Sequence, residues 1–119
     1  MNTRAGTVLL KISGESLSGP GEFGIDSARL ANLARELVRA RRLGRGIRIG
    51  IVVGGGNFIR GDILSKKLSV IDSATADYMG MIATVLNSLA IQEALEKQGC
   101  PARVLSAIHI RQVCEPYIR

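Results

Sequence analysis

Apolar positions along the chain fall into blocks whose spacing changes from one block to the next. Residues 7–12 (TVLLKI) form a short apolar run that closes at Lys11 and enters Ser13-Gly14, the pattern of a strand followed by a turn. After the glycine-rich stretch SGPGEFGID, Leu30, Leu33 and Leu37 recur at helical spacing. They predict a helix from about Ser27 to Leu43, with Asp26 or Ser27 as N-cap and Gly44 as its stop. Residues 47–53 (IRIGIVV) read as a second strand, and three consecutive glycines follow it.

Beyond the glycines, SKKLSVIDSATAD is polar and irregular, and residues 77–98 then predict a long helix. Ile82, Val85, Leu86 and Leu89 share helical spacing, while Met79, Met81, Ala83 and Ala90 leave few polar positions on its first half. That half is expected to be buried, in the core or against another subunit. ARVLSAI, residues 102–108, reads as a third strand after the Gly99-Cys100-Pro101 turn, whereas residues 115–119 look like an interrupted helix start. Strand, helix, strand, helix, strand is the order that gives an α/β fold, a parallel sheet covered by helices. Ligands of such sheets bind beyond the carboxyl ends of the strands, so Lys11-Ser13-Gly14 and Gly54-Gly55-Gly56 are expected to face one cleft.

Composition changes this picture little. With 119 residues, 46% of them hydrophobic and 22% charged, the chain is long enough for one core and is not of disordered type. The N-terminal apolar run is too short for a signal or a membrane span, which points to a cytoplasmic protein. Cys100 and Cys114 lack metal-site spacing and His109 is the sole histidine, so both cysteines read as reduced core thiols.

A formal charge of +6 raises the question of nucleic acid. Seven of the sixteen basic residues (Arg29, Arg35, Arg39, Arg41, Arg42, Arg45, Arg48) lie between positions 29 and 48, yet aromatic content is only 3%. Bases would find almost nothing to stack on, which favours a solvated helix face whose last arginines complement the dipole over a nucleic-acid surface.

Three glycines after a strand present backbone N–H groups with no Cβ in the way, which is the composition of a phosphate cradle. It is not a Walker A sequence, because no Gly-Lys-Ser/Thr follows, and the dinucleotide G-x-G-x-x-G spacing also fails. A tight turn with close helix-sheet packing would use the same residues. Arg60, beyond the triplet, can grip a phosphate bidentately, and Lys11 adds a cation at the neighbouring strand end. Each alone reads equally as a solvated side chain; together they converge on one edge.

KISGESL at 11–17, FGID at 23–26, VVGGGNFIRG at 52–61, ADYMGMIATVLNSLA at 76–90 and SAIHIRQVCEPY at 106–117 together resemble the bacterial uridylate (UMP) kinases of the amino-acid kinase fold family. The glycine triplet would be shared with acetylglutamate, glutamate and carbamate kinases; DYMGMIAT is what resembles the UMP-specific branch. The resemblance implies a three-layer αβα fold with a mainly parallel central sheet, and Mg²⁺- and ATP-dependent phosphorylation of UMP to UDP. It implies Lys11 and Arg60 as catalytic cations, with Lys11, Ile12, Ser13, Gly14, Gly56 and Arg60 on ATP, and Gly55 and Asp77 on UMP, Asp77 at the ribose. Asp77 also reads as a helix N-terminal carboxylate favoured by the macrodipole.

By the same resemblance, the segment Gly19, Pro20, Gly21, Glu22, Phe23, Gly24 lies where the family has an effector region associated with GTP activation. UTP inhibition and a homohexamer are implied in the same way. No residue is assigned to hold metal. Members of the family are about twice this long, so residues 1–119 read as the N-terminal half of one kinase domain, without the half that binds the ATP base, and are expected to be inactive alone. The remaining alternatives are a kinase of the same fold with a carboxylate or carbamate acceptor, and a non-catalytic phosphate-binding fragment.

Overall fold

The computed structural model describes residues 6–59 and 70–119. Strand β1 (Thr7–Ile12) pairs in parallel with β2 (Arg48–Val53), in a register that sets Lys11 opposite Val52 and Ile12 opposite Val53. The two strands therefore end level with one another. A 3-10 turn, Gly14–Leu17, follows β1 and gives way to a loop in which Gly19, Gly21 and Gly24 all take positive φ. Only glycine enters that region without steric cost, so the loop's course depends on them.

Helix α1 (Ser27–Leu43) has Asp26 as its N-cap, the Arg29 N–H donating to Asp26 Oδ1 at 2.9 Å, and Gly44 as its C-cap. Helix α2 (Ser73–Glu96) packs against α1. One core joins both helices to the sheet: Leu17, Ala34, Leu37, Val38, Val53, Ile91 and Leu95 are buried, with Leu10, Ile12, Leu30, Leu33 and Ile51 packed against them. The alternation along each strand turns Leu10, Ile12, Ile51 and Val53 toward the helices. Leu9 and Val52 fall on the opposite face and are 72% and 51% exposed.

Four features differ from the sequence expectation. Helix α2 begins at Ser73, four residues before the expected start, because Asp72 caps it: the Thr75 N–H donates to Asp72 Oδ1 at 2.8 Å. Asp77 therefore lies in the second turn and caps nothing. The buried stripe of α2 is Ala76, Ala83, Asn87, Ile91 and Leu95, together with Val85, whereas Tyr78, Met81, Ile82 and Leu86 are between 42% and 61% exposed. The small Ala83 side chain lies close against Gly55 after β2, and the bulkier apolar residues face outward.

The third strand is only Leu105–Ser106, here β3, and it does not join β1 and β2. It pairs in parallel with β4 (Glu115–Pro116), so the chain end read as a helix start is strand. A second small core of Val85, Val104 and Cys114, with Leu89 and Ile110, holds this pair against α2. Of the irregular segment 65–77, residues 73–77 are helical and residues 65–69 lie outside the described part.

The Asp72 carboxyl lies below the ordinary carboxylate value, first because of the Thr75 backbone N–H and then because of the Thr75 side chain. A depressed folded-state pKa means that the cap stabilises α2 above the ordinary carboxylate pKa and loses this effect as pH falls through the lowered one. The Thr75 amide resonance should accordingly titrate with a midpoint below that of a free aspartate. In Asp72→Asn, which keeps an oxygen acceptor at the cap, that titration should vanish.

Candidate functional site: a cleft between two strand ends

Because β1 and β2 end level, their following turns meet. A cleft of about 450 Å³ is lined by Lys11, Ile12, Ser13 and Gly14 from the first strand end, with Glu15 beyond, and by Val52, Val53, Gly54 and Gly56 from the second. The two turns touch. A Cβ at Gly14 would stand 2.5 Å from Asn57 Oδ1 and 2.7 Å from the Gly56 N–H nitrogen, closer than side chains approach one another. Gly14 is glycine because the other turn occupies that space.

The three glycines of the second turn serve different ends. Gly54 continues the ladder, its N–H donating to Ile12 O at 2.9 Å. Gly55 is buried, and a Cβ on it would lie 2.8 Å from both Ala83 Cβ and Gly80 O of α2. The packing reading of the triplet thus holds at Gly55. Gly56 faces the cleft, where a Cβ would meet the Glu15 carboxylate at 2.5 Å. The Phe58 and Ile59 N–H groups converge on Gly55 O at 3.0 Å each. This leaves the N–H groups of Gly55, Gly56 and Asn57 without a backbone acceptor among the described residues, a run of donors of the kind that cradles an anion.

Two residues that the sequence reading did not single out hold this turn. Asn57 and Asn87 are 2% and 0% exposed and face each other as a reciprocal amide pair. Asn57 Nδ2 donates to Asn87 Oδ1 at 3.0 Å, and Asn87 Nδ2 donates to Asn57 Oδ1 at 2.7 Å. The second hydrogen of each amide goes to a main-chain carbonyl, from Asn57 to Gly24 O at 2.9 Å and from Asn87 to Gly54 O at 2.7 Å. The Gly24 N–H in turn donates to Asn57 O at 2.8 Å. The signal available in the sequence was Asn87 itself, an amide at the spacing of Ala83 and Ile91 on a helix face otherwise built of small and apolar side chains.

The remaining candidates divide. Lys11, Ile12, Ser13, Gly14 and Gly56 come together in the cleft, and Gly55 lies beneath it. Arg60 lies outside the described residues. Asp77 is exposed on α2. The segment Gly19 to Gly24 reaches the cleft's supporting turn through Gly24, and Phe23 sets its ring edge-to-face on Phe58, centroids 5.6 Å apart. A smaller cavity of about 250 Å³, between Arg41 and Arg42 of α1 and Gln98, Gly99 and Cys100, lies at the C-terminal ends of both helices, away from this cleft. There Arg41 Nη1 donates to Cys100 Sγ at 3.7 Å.

Residues 6–118 match the family model of the amino acid kinase family. The chain belongs to that family. Among solved structures it is similar to the UMP kinase of Bacillus anthracis, at 35% identity over 94% of this chain and 45% of that one, with a TM-score of 0.83. It is similar also to the UMP kinase of Ureaplasma parvum, at 34% identity over 97% of this chain and 47% of that one, with a TM-score of 0.85. The chain thus spans just under half the length of these two UMP kinases. Its parallel strands and helices have their fold, in agreement with the α/β class expected from sequence.

The contact of Gly55 with α2 is open to direct test. Gly55→Ala should destabilise the protein by about 1–3 kcal/mol in urea unfolding, the usual range for forcing a methyl into a packed core. Adding Ala83→Gly should recover part of that loss and not all, since Gly80 O stays in place. Full additivity of the two changes would mean that Gly55 does not pack on Ala83.

Proposed function

We propose that the protein containing this chain is a UMP kinase, which transfers the γ-phosphoryl group of ATP to UMP and so supplies UDP for pyrimidine nucleotide synthesis. What supports this most is the meeting of the two glycine turns at level ends of parallel strands, in a chain 34–35% identical to UMP kinases. Lys11 with Ile12, Ser13, Gly14 and Gly56 would hold the phosphates of ATP, and Gly55 and Asp77 would serve UMP. Arg60 is proposed as the second cation from its place in the sequence alone. Residues 1–119 would then form the phosphate and acceptor part of one kinase domain, the ATP base being held by residues outside them.

The chemistry asks little of the protein beyond placement and charge. The acceptor is itself a phosphate, mostly deprotonated near neutral pH with a second pKa of about 6, so no general base is required. The obstacle is repulsion between two anions. Positioned cations and N–H donors lower it, which is how a loose in-line phosphoryl transfer is accelerated.

Among the described residues no group of three or more His, Cys, Asp or Glu side chains forms a metal cage. The donor set fits Mg²⁺ that arrives on the nucleotide, because this ion keeps most of its waters and binds through substrate phosphates and one or two carboxylates. Among the described residues, Glu15 is the carboxylate that lines the cleft. When bound, the ion would neutralise phosphate charge beside Lys11.

Regulation and assembly belong to the same proposal: GTP activation acting through Gly19 to Gly24, inhibition by UTP, a homohexamer, and a cytoplasmic location. Among the described residues no helix is long and apolar enough to cross a membrane.

The decisive assay measures ADP and UDP formation by the full-length protein with Mg-ATP and UMP. Turnover with glutamate, acetylglutamate or carbamate that matches or exceeds turnover with UMP would overturn the assignment. Lys11→Ala should lower kcat by about 10²–10³-fold, the scale on which a lost donor to developing charge is felt. Asp77→Asn should weaken UMP by about 1–3 kcal/mol and leave ATP unchanged, because the ribose hydroxyl would lose its charged acceptor.

A further inference from the structure

The Asn57–Asn87 pair lies outside the cleft lining, yet it fixes the geometry of the turn that the cleft depends on. Asn57 is the residue next to Gly56, and Asn87 reaches Gly54 O, so the amides grip the glycine turn at both ends. Each Nδ2 has two hydrogens, and all four are spent, two within the pair and two on the carbonyls of Gly24 and Gly54. No other side-chain hydrogen bond reaches either carbonyl among the described residues. A closed set of this kind has one arrangement. Rotating either amide would set oxygen against oxygen and leave buried donors unpaired.

We propose that Asn57 and Asn87 are positioning residues for phosphoryl transfer, holding the N–H groups of Gly55, Gly56 and Asn57 at the angle that meets the nucleotide phosphates. The proposal rests on the reading of the cleft as a phosphate site. It assigns a role to a helix residue that lines no part of the cleft. Helix α2 would act on the cleft from behind: Gly55 lies against its backbone at Gly80, and Asn87, two turns further along, takes hold of Gly54. Because Asn57 also bonds to Gly24 in both directions, the loop before α1 is fixed in the same arrangement. Misplacing reacting groups by about 1 Å can cost on the order of 10²-fold in rate, so the contribution is expected in kcat.

The test uses the full-length protein with Asn87→Asp and Asn57→Asp, which keep shape and remove the donors. Under conditions where unfolding curves put each variant above nine-tenths native, kcat should fall tenfold or more, with the KM for UMP changed less than threefold. The amide resonances of residues 54–58 should shift in the variants without nucleotide. A purely structural pair would lower the melting temperature and leave kcat per native molecule within twofold of wild type, and that result would overturn the proposal.

If neither variant folds, the wild type decides: the side-chain amide protons of Asn57 and Asn87 should shift on titration with Mg-ATP, and signals that stay fixed at saturation count against the idea. The same titration separates the two claims. A wild type that binds Mg-ATP without phosphorylating UMP removes the acceptor assignment and leaves the pair to be judged on nucleotide affinity, expected to weaken tenfold in the variants; unchanged affinity there would refute it.

Discussion

Four hydrogens on two buried amides set the geometry around the cleft. Gly24 O and Gly54 O belong to different turns, and neither turn is part of regular structure; their carbonyls would be costly to bury unpaired, by roughly 1–3 kcal/mol each. Asn57 and Asn87 answer both at once and use each other for what remains. Helix α2, the glycine turn and the loop before α1 are thereby one unit. The close approach of Gly55 to Gly80 and the contact of Gly14 with Gly56 follow from that unit, because a turn held at this depth leaves no room for a Cβ at either place.

Burial on α2 follows the same constraint. A helix that must bring an amide to a main-chain carbonyl cannot carry large side chains on the same face, and its buried stripe is accordingly Ala76, Ala83 and Asn87 before it broadens to Ile91 and Leu95. Helical spacing groups Ile82, Val85, Leu86 and Leu89, yet of these only Val85 is buried and Leu89 half-buried, while Ile82 and Leu86 face outward. Hydropathy ranks side chains by their transfer from water, and here distance between backbones decided which ones could go inside.

Much of the architecture was nonetheless legible in the sequence. β1, α1 and β2 lie within a residue of where apolar spacing and caps put them, and the prediction that two strand ends share a cleft holds in the register of Lys11 with Val52. These are local signals, a period and a stop residue. What was misread depends on partners far along the chain. Leu105–Ser106 is a strand because Glu115–Pro116 lies beside it, a pairing that short apolar runs do not announce. The start of α2 was set four residues late because Asp72 stands in a polar stretch whose capping bond to Thr75 outweighs the absence of apolar periodicity.

The glycine triplet shows why composition could name a phosphate cradle without saying which residue does what. Each glycine answers a different neighbour: Gly54 the Ile12 carbonyl in the ladder, Gly55 the backbone of α2, and Gly56 the cleft with Glu15 and Gly14 across it. Backbone donors have no rotamers with which to correct an error of aim, in contrast to a lysine or an arginine, so a cradle built from them works only if the chain on either side is fixed. Fixing it from the cleft side would fill with side chains the space proposed for the phosphates. The amides stand instead on the helix side, leaving the open face of the turn to the glycines.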